Sequence, residues 1–124
     1  MKLRSLIVDD SHTFLSSARR LLESQGLEIV GTATSGAEAL DLAAEFSPDV
    51  ALVDVELGEE DGIALVGELR SRSPATRVVL ISTYGHDEMH DLARASSAVG
   101  FLPKSQLSGT AVRDLLGEDH REAR

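Results

Sequence analysis

The chain contains no cysteine, so neither a disulfide framework nor a thiolate zinc site can form. It has no long apolar run either. The first, Leu6-Ile7-Val8, ends at Asp9-Asp10, well short of the ~7–15 residues of a signal-peptide core. No window approaches the ~18 apolar residues of a membrane span, and the chain reads as cytoplasmic. Basic side chains are scarce: 12 Lys and Arg against 21 Asp and Glu leave a formal net charge of −9. That balance argues against a domain that grips a nucleic-acid backbone. No repeat, linker or low-complexity segment interrupts the chain.

What is present is a chain of 124 residues, 42% of them hydrophobic, enough for one compact domain with its own core. Short apolar runs alternate with amphipathic stretches. Strands are expected at Leu3 to Val8, Leu27 to Ala33, Val50 to Val53, Arg77 to Ile81 and Val99 to Pro103. Between the first two, Phe14, Leu15, Ala18, Leu21 and Leu22 share one helical face, closed by Gly26. Ser35 and Glu38 have capping-box spacing and open a second helix, which Ser47-Pro48 ends. A polar loop from Val55 to Asp61 leads to a third helix that buries Ile63, Val66 and Leu69. A weaker helix covers Asp87 to Ser97. A last one packs Ala111, Val112, Leu115 and Leu116, with Gly117 as its stop and a charged, frayed tail beyond. Five strands and five helices in strict alternation, with the strands continuously apolar, predict a parallel sheet covered on both faces. Right-handed crossovers narrow this to a flavodoxin-like doubly wound sheet of order 2-1-3-4-5.

Polar residues follow the apolar runs. Asp9 and Asp10 come after the first strand, Asp54 after the third, Ser82 and Thr83 after the fourth, and Lys104 after the fifth. In a parallel sheet these ends share one edge, and ligands of open α/β sheets bind where the winding reverses. Three carboxylates close together either raise a pKa or recruit a cation. All-oxygen donors suit a hard ion such as magnesium. Such an ion would let a phosphoryl group approach Asp54, with Lys104 and the Ser82 hydroxyl as partners for its oxygens. Singly, these residues have plainer readings. Asp9-Asp10 could cap the first helix, Asp54 end a strand, Ser82 cap a turn, Phe101 fill the core and Lys104 be solvated. Their joint placement favours the site. His86 and His90, near Asp87 and Glu88, read as a solvated helix start rather than a transition-metal site, and His12 as exposed surface.

In this order and spacing, Val8-Asp9-Asp10, Asp54-Val55-Glu56-Leu57 with Asp61-Gly62, Ser82-Thr83 and Gly100-Phe101-Leu102-Pro103-Lys104 resemble the signature of response-regulator receiver domains. The likeness runs from about Lys2 to Gly117. It implies that Asp54 is the phosphoacceptor, and that Asp9, Asp10, Asp54 and the main-chain carbonyl of Glu56 hold Mg2+. It makes Ser82 the switch hydroxyl, Phe101 the switch aromatic and Lys104 the basic partner. Residues 1–118 would form the receiver and 119–124 a tail. A sensor histidine kinase or phosphotransfer protein would donate the phosphoryl group. The face of the fourth helix, fifth strand and fifth helix would signal to a downstream protein or an output domain, with a phosphorylation-dependent homodimer as a further option. The domain would be a switch with self-catalysed transfer and autodephosphorylation rather than an enzyme.

Three positions depart from the family's commoner pattern. Ser105 follows Lys104 where a cis proline is frequent, and a cis bond to a non-proline costs roughly 2.5–4 kcal/mol. Gly58 replaces a frequent proline, and Thr83 a very small residue. Glu56 and Tyr84 flank the site and are placed to tune access of water. Two other functions fit less well. A haloacid dehalogenase-like phosphohydrolase needs an aspartate two residues after the nucleophile, and position 56 is Glu. A flavin or nucleotide binder needs a phosphate cradle, and the first loop is the acidic Asp9-Asp10-Ser11-His12.

Overall fold

The computed structural model describes residues 2–83 and 87–122, the side chains of 87–90 and 118–122 excepted. In chain order the elements are β1 (Arg4–Val8), α1 (His12–Ser24), β2 (Glu28–Ala33), α2 (Gly36–Phe46), β3 (Val50–Asp54), β4 (Glu56–Leu57), β5 (Glu60–Asp61), α3 (Gly62–Arg72), β6 (Arg77–Ser82), α4 (Asp87–Ala95), β7 (Gly100–Pro103) and α5 (Gly109–Glu122). Five strands form one parallel sheet in the order β2-β1-β3-β6-β7. This is the expected doubly wound, flavodoxin-like sheet, with β6 and β7 as its fourth and fifth strands.

Strand side chains alternate between two buried layers, as a pleat with period two requires. Leu6, Val8, Ala51, Val53, Val78, Leu80 and Phe101 pack with Ala39, Leu40 and Ala43 of α2, Leu65, Val66 and Leu69 of α3, and Ala93 of α4. Ile7, Val50, Leu52, Val79, Ile81 and Leu102 point the other way. They meet Leu15, Ala18 and Leu22 of α1 and Val112 and Leu116 of α5. Because both faces are covered, neither shows the apolar–polar alternation of a half-exposed sheet, and the strands read as unbroken apolar runs.

Local chemistry sets the helix starts. Ser11 and Ser35 accept the backbone N–H groups of Phe14 and Glu38, both at 3.2 Å, and Asp61 accepts that of Ile63 at 2.9 Å. The second of these is nearly the expected capping box. Glu38 Oε1 instead accepts the N–H of Thr34, one residue before the cap, at 2.7 Å. Gly26 closes α1 with φ +89°, the left-handed conformation open to glycine.

Two expectations need correction. Gly117 does not stop the last helix, which runs on to Glu122. A glycine within a helix costs about 1 kcal/mol relative to alanine. It ends the helix only where the backbone turns left-handed, and Gly117 is not among the positive-φ glycines, Gly26 and Gly58. The segment from Val55 to Asp61 is not a plain loop: Glu56 and Leu57 pair antiparallel with Asp61 and Glu60. Gly58, at φ +59°, makes the turn of this hairpin with a backbone conformation that proline cannot adopt.

Candidate functional site

Each polar residue of the site stands where a strand runs out of core. β1 delivers Asp9, β3 ends on Asp54, β6 on Ser82, and β7 is followed by a single 3-10 turn, Lys104–Gln106. All lie at the carboxyl edge of the sheet. The described peptide bonds are trans, that between Lys104 and Ser105 included. Beyond Asp54 the chain is pinned twice, by Val55 N–H to the Ile81 carbonyl and Gly62 N–H to the Val55 carbonyl, both 3.0 Å. Gly62 presses against this turn so closely that a Cβ on it would lie 2.0 Å from the Asp54 carbonyl oxygen.

The cleft has a volume of about 300 Å³ and is lined by Asp9, Asp10, Ser11, Asp54, Glu56, Gly58, Ser82, Thr83 and Lys104. Asp9 is fully buried and Asp54 6% exposed, while Asp10 and Thr83 face solvent. Lys104 Nζ is 2.6 Å from Asp9 Oδ2 and 3.1 Å from Asp54 Oδ2. The other oxygens are held by the backbone. Asp9 Oδ1 accepts Ser11 N–H at 2.8 Å, and Asp54 Oδ1 accepts Glu56 N–H at 3.1 Å. These bonds make Asp9 a turn former; the cap of α1 is Ser11, so the simple helix-cap reading of Asp9-Asp10 fails.

Burial pushes the Asp54 carboxyl above its ordinary value. The Glu56 N–H and Lys104 oppose that rise without cancelling it, and the nearby Asp9 charge adds to it. Burial works against the Lys104 ammonium too, but its two carboxylate partners outweigh it and raise the lysine above its usual value. One ammonium is thus shared by two acids. It is well compensated, whereas Asp54 is not.

Oxygens of Asp9, Asp10 and Asp54 lie within 4.8 Å of one another. Asp9 Oδ2 is buried without a hydrogen bond, its charge met only by the ion pair to Lys104. A cluster of hard oxygen donors, one of them buried in this state, fits a small dication such as magnesium.

The structure thus gathers Asp9, Asp10, Asp54, Glu56, Ser82 and Lys104 around one cleft. Phe101 stands apart from it, 4% exposed on β7 and packed in the layer facing α2, α3 and α4. Tyr84 and His86, and the side chains of Asp87, Glu88 and His90, lie outside the described residues, and His12 is exposed. Two contributors escaped the sequence reading. The sequence shows Gly62 as a helix start and as part of the Asp61-Gly62 motif, but its closeness to Asp54 needs the fold. The sequence places Phe14 on the core face of α1, yet Lys104 Nζ lies 4.4 Å from its ring centroid.

The fold and cleft define a flavodoxin-like α/β domain with an acidic, metal-competent site closed by one lysine. The chain belongs to the response-regulator receiver domain family of two-component signal transduction, whose family model matches residues 5–113. It is 38% identical over 107 residues to a protein-glutamate methylesterase/protein-glutamine glutaminase of Alkalilimnicola ehrlichii, covering 84% of this chain and 27% of that protein. The corresponding protein of Halobacterium salinarum is 41% identical over 113 residues, with 91% of this chain and 32% of the relative covered. The chain therefore spans about a third or less of these relatives. The receiver domain of the response regulator NarL from Mycobacterium tuberculosis superposes with a TM-score of 0.81 at 35% identity, covering 91% of this chain and 94% of that one. A response regulator from Burkholderia pseudomallei, solved with a phosphorylated aspartic acid, calcium ion and citrate, gives 0.80 at 25% identity over 99% of this chain and 74% of that one. No described helix is long and apolar enough to cross a membrane.

Proposed function

We propose that this chain is a phosphorylation switch in which Asp54 accepts a phosphoryl group from a phosphohistidine of a sensor histidine kinase or phosphotransfer protein. The observation that carries this reading is the Lys104 ammonium held between Asp9 and Asp54 at the carboxyl edge of the sheet. An Asp54 oxygen forms a bond to phosphorus as the P–N bond breaks, and the electron pair leaves with the imidazole nitrogen. Water later attacks the acyl phosphate, releasing inorganic phosphate and restoring the carboxylate. The protein contributes position and charge, which dominate catalysis of such transfers.

Asp9, Asp10, Asp54 and the Glu56 main-chain carbonyl would hold Mg2+, which supplies positive charge to the acidic trio and to phosphoryl oxygens. Lys104 turns from Asp9 to the phosphoryl group, and Ser82, lining the cleft, donates a hydroxyl to it. Movement of the Ser82 hydroxyl toward the phosphoryl oxygens biases Phe101 between two packings. The face of α4, β7 and α5 then signals to a downstream protein or output domain, or to a second copy of the chain. Residues 1–118 carry this unit's site and signalling face, and α5 continues past them to Glu122. The unit acts in the cytoplasm without gripping nucleic acid, and its only chemistry is its own phosphorylation and dephosphorylation. The phosphorylated aspartate and calcium ion of the Burkholderia relative support the reading.

Incubation with a radiolabelled phosphohistidine donor tests it. Label should move to the chain only with magnesium and should fail to move to Asp54→Asn. Transfer to the variant at the wild-type rate would overturn it.

A further inference from the structure

We propose that Phe14 is a positioning residue of the cleft, its ring face fixing the Lys104 ammonium against Asp9. Four contacts close into a ring. Asp9 Oδ1 accepts Ser11 N–H at 2.8 Å, and Ser11 Oγ accepts Phe14 N–H at 3.2 Å. The Phe14 ring centroid lies 4.4 Å from Lys104 Nζ, which returns to Asp9 Oδ2 at 2.6 Å. The cap that starts α1 therefore also sets where the aromatic ring stands relative to the lysine.

Chemistry gives the ring its task. The Lys104 side chain is 18% exposed, so most of it is withdrawn from water. Two carboxylate oxygens take part of its charge, and a half-buried π-face, negative at its centre, takes another side. With the ring there, the ammonium has fewer places to go than a lysine on a flexible stem ordinarily has. A leucine would serve the apolar layer that Phe14 joins beside α1 and α5, but it offers a cation nothing.

The consequence falls on Asp9. Lys104 already pairs with Asp9, and a dication held by Asp9, Asp10 and Asp54 would compete with it for that carboxylate, so whatever holds the lysine there would weaken the dication's hold. The role in phosphorylation rests on the function proposed above; the contact itself does not. Magnesium affinity, measured by calorimetry, is expected to rise about threefold in Phe14→Leu, to stay unchanged in Phe14→Tyr, and not to respond to Phe14→Leu once Lys104→Met has removed the ammonium. A purely structural role for Phe14 gives equal effects with and without Lys104, and that result overturns the proposal, as does an unchanged affinity in Phe14→Leu. In the wild-type chain the Lys104 ε-methylene protons should be shifted upfield by the ring in NMR spectra; ordinary lysine shifts would also overturn it. That readout needs neither metal nor a variant. Absence of magnesium binding in the wild type would sink the proposed function while the lysine shifts still decide the role of Phe14.

Discussion

Lys104 sits closer to Asp9, at 2.6 Å, than to Asp54, at 3.1 Å. The lysine is therefore an internal counter-ion within the acidic cluster that the proposed dication would share. Its removal should raise magnesium affinity, since opposite charges in a half-buried cleft interact strongly. Lys104→Met is expected to bind magnesium about tenfold more tightly, equivalent to about 1.4 kcal/mol, while accepting phosphate more slowly. Weaker magnesium binding in this variant would show that the lysine helps organise the metal site rather than competing for it.

Gly62 and Gly67 lie in the same helix and should respond oppositely to alanine. A Cβ at Gly62 would collide with the Asp54 carbonyl oxygen, whereas one at Gly67 meets nothing within 4 Å. Gly62→Ala should destabilise the fold by about 1–3 kcal/mol and slow phosphorylation by displacing Asp54. Gly67→Ala should stabilise it by about 0.5–1 kcal/mol and leave phosphorylation alone. Denaturant titrations of the two variants provide the check.

The raised Asp54 carboxyl gives a pH dependence of definite sign. The folded state keeps this proton above the ordinary value of 3.8, whereas the unfolded chain has begun to lose it. Between 3.8 and the raised value the folded state binds more protons, so this group's contribution to stability falls as pH climbs. In metal-free buffer Asp54→Asn should therefore melt above the wild type at neutral pH, with the gap closing toward pH 4. Added magnesium should narrow or reverse that gap. For Lys104, also raised, stability is complete below 10.5 and is lost as pH rises through its folded value. Wild-type melting should thus drop at strongly alkaline pH, a drop that Lys104→Met lacks. Parallel curves for wild type and Asp54→Asn from pH 4 to 8 would contradict this assignment.

Much of this architecture is legible in the chain. Apolar runs ending in acid, hydroxyl or lysine define the strand ends, and parallel topology then has to bring Asp9, Asp54, Ser82 and Lys104 to one edge. Distances across that edge are not legible. Phe14 is one apolar residue among several on α1, and only the folded chain places its ring beside a lysine ninety residues away. The hairpin of Glu56 to Asp61 was hidden because two-residue strands carry no periodicity. Gly117 reads as a helix stop because glycine often is one; its backbone angle, absent from the sequence, decides otherwise.

Ser82 and Phe101 lie on neighbouring strands, and Phe101 is buried in the layer facing α4. If the hydroxyl transmits phosphorylation to the aromatic ring, Ser82→Ala should still take up phosphate but lose most of the NMR shift change at Phe101. Identical shift changes in wild type and Ser82→Ala would remove Ser82 from the switch.

The most direct test is intact mass after incubation with a small phosphodonor, with and without magnesium. The wild-type chain should gain one phosphoryl group in magnesium, and none after chelation or in Asp54→Asn. A chain that gains the group equally under chelation, or in the Asp54→Asn variant, would contradict the assignment of Asp54 and its acidic neighbours.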